Sequence, residues 1–154
     1  MNHSFSLPAH LAKFEVPTLL VIMDHNDVKF FMITDNVMSL LKEYESPIKD
    51  IHRSDHETGR RGEGSGGFSG GQETHDREHY ECVFCKQIAE DMTHMHNRHE
   101  FVRAVIYVPR DLKNTLYTKL DHRTAEVSEE YDGIITHENP LEMVERILKH
   151  RGSL

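Results

Sequence analysis

The sequence has no tryptophan, only two cysteines and no excess of positive charge. Two cysteines cannot build a disulfide framework, which excludes the small secreted scaffolds that several bridges hold together. No run approaches the roughly 18 consecutive apolar residues that a membrane-crossing helix requires, so no contact with a membrane is expected. The formal net charge of −8 excludes a uniformly basic surface. Attraction to nucleic acid therefore needs a local patch. The opening stretch, MNHSFSLPAHLAKF, lacks a basic segment followed by a long apolar run, so the chain reads as cytoplasmic, without a signal peptide. At 154 residues there is length for one domain of ordinary size and not for two. The apolar share of 37% is low for such a domain, which implies that part of the chain is not packed.

What is present is periodic apolar sequence on either side of one long interruption. Thr18–Asp24 is continuously apolar up to its final acid, as a central strand buried on both faces would be, and Val28–Thr34 and Val37–Tyr44 read as strands after it. The turns between them, Asp24-His25-Asn26-Asp27 and Asp35-Asn36, are too short for parallel neighbours, which predicts an antiparallel meander. A helix is expected from His75 toward Met95, with Tyr80, Phe84, Ile88, Met92 and Met95 at three- and four-residue spacing. Phe101–Pro109 is a second buried strand, followed by Asp111 as an N-cap and a helix carrying Leu112, Leu116 and Leu120 on one side. Ala125–Tyr131 is a weaker strand. Asn139-Pro140-Leu141-Glu142 then has the form of a capping box opening a last helix. The order β-β-β-α-β-α-β-α predicts an α/β domain of ribonuclease H-like type over residues 1–154, a mixed sheet with helices covering its faces.

The interruption runs from about residue 46 to 74. It holds seven of the nine glycines and only three large apolar residues, Ile48, Ile51 and Phe68, so it reads as a mobile loop that cannot pack alone. Charge is also uneven. Residues 98–123 carry six Arg and Lys against three acids, and residues 125–150 carry seven acids against two bases.

At the end of the loop, Gly70-Gly71-Gln72 precedes the first long helix. Glycines leave main-chain N–H groups uncovered, and a glutamine adds a donor and an acceptor. Near a helix N-terminus such groups can orient a water against an ester and stabilise the oxyanion as it forms. The strand order, the glycine loop, the helix segment FCKQIAEDM (Phe84 to Met92), AVIYVP and NTLYTKL together resemble the middle domain of eukaryotic and archaeal peptide-chain release factor 1. They resemble still more its single-domain bacterial relatives, the host-attachment proteins, over Leu19 to His150. In release factors the Gly-Gly-Gln loop enters the peptidyl-transferase centre, where its glutamine helps water cleave peptidyl-tRNA. The resemblance therefore implies Gly70, Gly71 and Gln72 as catalytic residues. Aligned on Ile88-Ala89-Glu90, the family triplet falls instead on Gly66-Gly67-Phe68, so two registers stand side by side. Arg103, Arg110, Lys113 and Lys119 would then form the basic face that meets RNA.

Other constellations are weaker. His75, His79, Cys82 and Cys85 have donor types that suit zinc, but on one helix Cys85 flanks the apolar face while the other three lie opposite it. Solvated histidines and a buried Cys85 are the plainer reading. Asp24, Asp76 or Glu81, and Asp111 are the carboxylates that a magnesium-dependent nuclease would use in this fold, yet Asp24 is also a turn residue. Gly67-Phe68-Ser69-Gly70-Gly71 matches a nucleophile elbow without the strand that motif needs. Arg60-Arg61 lies beside Glu57 and Glu63 and reads as a solvated pair. The sequence thus points to a translation-associated module with the ribosome or peptidyl-tRNA as partner and with no cofactor or bound metal. The alternative is an interaction module whose glycine-rich loop orders on a protein partner.

Overall fold

The computed structural model describes residues 3–47 and 69–152. Six strands, β1 (His3–Ser6), β2 (Phe14–Met23), β3 (Asp27–Asp35), β4 (Val37–Glu45), β5 (Arg103–Val108) and β6 (Ser128–Asp132), form one mixed sheet in the order β1-β4-β3-β2-β5-β6. The helices are α1 (Ser69–Asn97), α2 (Arg110–Lys119), α3 (His122–Glu126) and α4 (Pro140–His150). β2, β3 and β4 are the expected antiparallel meander, and β5 and β6 join parallel to β2. This is the ribonuclease H-like arrangement that the sequence predicts, a mixed α/β domain with both faces covered.

The continuously apolar strands are the central ones. Thr18 to Met23 of β2 and Ala104 to Val108 of β5 are buried at every position. Alternate residues point to opposite faces. Leu19, Val21, Met23, Phe30, Ala104 and Ile106 pack under Phe84, Ile88 and Met92 of α1 and Leu112 and Leu116 of α2. Leu20, Ile22, Ile33, Val105 and Tyr107 meet Met143, Val144, Ile147 and Leu148 of α4, with Leu7, Leu11 and Phe14 closing the edge. The Tyr44 hydroxyl donates to Asp91 at 2.8 Å and ties β4 to α1.

Several details differ from the sequence expectation. β1 is an additional edge strand on β4; only Phe5 of its four residues is large and apolar, so it carries no period. α1 begins at Ser69 rather than His75, which puts Gly70, Gly71 and Gln72 in its first turn instead of the loop. The remainder of the predicted mobile loop, 48–68, lies outside the described residues. α2 is capped by Pro109, not Asp111; Pro109 supplies no side-chain bond, and the Asp111 carboxylate turns away to His25. Ala125 and Glu126, expected to open a strand, close α3, so β6 starts at Ser128. The cap at Asn139 is as predicted, its side chain accepting from the Glu142 N–H at 3.0 Å. α1 ends with His99 in the left-handed region at φ 59°, and Glu100 N–H reaches back to the Met95 carbonyl.

The acidic edge strand β6 is held by one carboxylate. Glu129 accepts from Arg151 at 2.9 and 3.3 Å, from the Tyr131 hydroxyl at 2.8 Å and from Arg103 at 3.4 Å. Burial alone would raise its carboxyl, but the hydrogen bonds from Arg151 and Tyr131 and the Arg151 charge outweigh this and hold it below the usual carboxylate range.

Two stability predictions follow from the packing and from this ion pair. Leu20→Ala, at a position with 0% exposure, should cost about 2–5 kcal/mol in urea unfolding. Leu41→Ala, at 44% exposure, should change stability by no more than ~0.5 kcal/mol. Equal costs at the two positions would contradict the assignment of the buried faces. Because folding lowers the Glu129 pKa, its contribution is complete above the unfolded value of about 4.3 and disappears as pH falls through the folded value. Glu129→Gln should therefore flatten the acid limb of the stability–pH curve; an unchanged acid limb would show that Glu129 does not supply it.

Candidate functional site

The 29 residues of α1 span about 43 Å, more than the sheet beneath can cover. Asp76, Arg77, Glu78 and His79 are exposed, and Phe84 is the first buried side chain along the described part of the helix. Two contacts fix its direction. Glu81 lies beside Asp111, just past the end of β5, and His96 meets Thr124 at 3.3 Å near the start of β6. The N-terminal part of α1 thus extends beyond the carboxyl ends of β2 and β5. Gly70, Gly71 and Gln72 head this arm. As first-turn residues, Gly70 and Gly71 have backbone N–H groups with no acceptor within the helix.

At the base of the arm three elements bring donor atoms together. Asp24 ends the buried run of β2 with a turn in which its Oδ1 accepts the N–H groups of Asn26 and Asp27, each at 2.7 Å. Its Oδ2 accepts from the Thr136 hydroxyl at 3.0 Å. The turn so fixed carries His25, whose Nε2 lies 2.9 and 2.8 Å from the two Asp111 oxygens. Glu81 approaches from α1, and ligand atoms of His25, Glu81 and Asp111 all lie within 4.8 Å of one another. Burial, partly offset by His25, pushes the Glu81 carboxyl up, and the Asp111 charge pushes in the same direction.

Of the carboxylates singled out from the sequence, Glu81 and Asp111 are therefore neighbours, whereas Asp24 is committed to its turn and Asp76 lies on the exposed arm. His25 was not among the candidates. Its signal was position: it directly follows the central strand, but within a string of turn-forming residues. The histidine and cysteine series does not converge among the described residues. His79 and Cys82 are exposed, and Cys85 lies in the core, its thiol pushed up to about 12 by burial and then by Cys82.

The basic residues fall into separate places. Arg110 and Lys113 share Asp132, at 3.9 and 3.2 Å, at the same end of the sheet as the arm. They line a cleft of about 400 Å³ with Asn114, Tyr117 and Glu130. Glu130 Oε1 is buried there without a hydrogen-bond partner among the described residues. Arg103 is at the opposite end of β5, about 20 Å away, bonded to Glu129. Lys119 closes α2, six residues beyond Lys113.

Among the described residues, no helix is long and apolar enough to cross a membrane. In sequence, no curated protein matches the chain. Among solved structures, the crystal structure of an archaeal translation termination factor is similar at 10% identity and a TM-score of 0.43, over 88% of this chain and 39% of that one. The chain thus spans well under half the length of that factor. The family described as "Protein required for attachment to host cells" matches residues 19–147. That match takes in the meander, α1, the parallel strands and most of α4, and the chain belongs to this host-attachment family.

Proposed function

We propose that this host-attachment protein is a translation-associated module that approaches the ester of peptidyl-tRNA on the ribosome with Gly70, Gly71 and Gln72. The observation that carries the reading is the position of this triplet in the first turn of a helix arm that extends past the sheet. The free N–H groups of the first turn and the positive end of the helix dipole favour a developing oxyanion. The glycines let a substrate approach the backbone closely, and the Gln72 carboxamide would orient the attacking water. Arg110 and Lys113, at the same end of the molecule, are the cations suited to contact RNA phosphates near the arm. Arg103 and Lys119 would contribute at longer range, Arg103 only after leaving Glu129.

Release of peptide from isolated ribosome–peptidyl-tRNA complexes tests the reading. The native chain should accelerate release, Gln72→Ala should reduce it about 100-fold, and Phe68→Ala should leave it intact. Loss in Phe68→Ala alone would move the functional register to Gly66-Gly67-Phe68. Ribosome binding should weaken steeply as salt rises. No release from any variant, with salt-insensitive ribosome binding, would leave an interaction module whose glycine-rich segment docks on a protein.

A further inference from the structure

We propose that His25, Glu81 and Asp111 form a site for one divalent transition-metal cation, and that Zn²⁺ is the ion its donors suit. One imidazole nitrogen and two carboxylate oxygens converge from three separate elements, the β2–β3 turn, α1 and the first turn of α2. Magnesium and calcium favour oxygen ligands alone, whereas zinc accepts nitrogen and oxygen together. Three protein ligands leave a fourth position open, the pattern of zinc sites that hold a water or a substrate atom.

The fit requires small movements only. Donors about 2.1 Å from a tetrahedral ion lie about 3.4 Å apart. His25 and Asp111, now 2.8 and 2.9 Å apart, must separate slightly, and Glu81, within 4.8 Å, must close by at most ~1.4 Å. The side chains of His25 and Asp111 are 42% and 63% exposed, so rotation suffices. The backbone beneath is better fixed, because the Asp24 turn sets the position of His25 and the α2 helix sets that of Asp111. The ion would take the place of the proton that His25 shares with Asp111.

The location is a second reason. From β2 the chain turns to β3 on one side, while its parallel partner β5 leads to β6 on the other. His25 follows β2 and Asp111 follows β5, so the donors stand at the carboxyl ends of the two strands where the sheet order diverges. In open α/β sheets the crevice that binds ligands forms at such a point. The site is distinct from the Gly-Gly-Gln turn. Glu81 lies nine residues beyond Gln72, about 13 Å along α1.

The test uses the full chain without an affinity tag, stripped by chelation and titrated with ZnCl₂ alone by calorimetry and thermal melting. One equivalent should bind and raise the melting temperature. His25→Ala and Asp111→Asn should each weaken that site at least ~10-fold, no less than the loss of an outer-shell partner costs. Glu81→Gln keeps the shape of the side chain and should weaken it similarly, and the melting of the zinc-free variants shows whether each is folded. His79→Ala, an exposed histidine on the same helix, should change nothing, and excess Mg²⁺ should not displace the zinc. Absence of binding, equal binding in all variants, or loss in His79→Ala alone would overturn the site. Displacement by Mg²⁺ would overturn the zinc assignment. None of these readouts depends on ribosomes or on Gln72, so this proposal and the translation reading fail separately.

Discussion

The parallel pairing of β2 with β5 is the constraint on which the rest of the molecule depends. Thr18 to Met23 of β2 and Ala104 to Val108 of β5 are buried, so neither strand can lie at an edge. A parallel partner cannot be reached by a hairpin, and the chain must cross over one face of the sheet before it can form β5. That crossover contains α1, and its length is one reason the domain carries a helix reaching well past its own core. The same pairing places the turn after β2 beside the start of α2. His25 and Asp111, 86 residues apart in sequence, meet for that reason.

The main features of the fold were legible because they rest on burial, which leaves a pattern in the sequence. TLLVIM and AVIYV are runs that only a two-sided core explains, and the four-residue recurrence from Phe84 to Met92 fits nothing but a helix. The features that were missed rest on single contacts. β1 is held by backbone pairing to β4 and carries little apolar sequence. Ala125 looks like the first residue of a strand until the Asp121 carbonyl, accepting its N–H at 2.8 Å, keeps it in α3. Asp111 has the residue type of an N-cap, but a carboxylate placed opposite an imidazole bonds the imidazole, and the proline before it begins the helix instead.

The candidate site was less legible, for a related reason. Glu81 and Asp111 could be named from residue type, but which carboxylates would meet depended on the direction of α1 over the sheet. His25 sat in a string of turn residues whose composition explains itself, and only the Asp24 hydrogen bonds show that the turn aims it at α2. Arg103, Arg110, Lys113 and Lys119 formed a patch along the sequence. The length of β5 separates the first from the second, and the acids Glu129 and Asp132 beside them come from the neighbouring strand. Charge that is clustered in sequence disperses when the segment containing it crosses the whole sheet.

α1 links the Gly-Gly-Gln turn to the donor group at its base, and it is anchored unevenly along its length. From Phe84 onward it is fixed by the core and by the Tyr44–Asp91 hydrogen bond, and beyond Asn97 by the left-handed turn at His99. Asp76 to His79 are exposed, and two glycines in the first turn lower the helical propensity there. Packing against the core therefore begins at Phe84, three residues beyond Glu81. Glu81 sits less than one turn before the first core residue of α1, so the anchored stretch brings it to His25 and Asp111, and small side-chain movements separate these donors from the spacing that a metal ion requires.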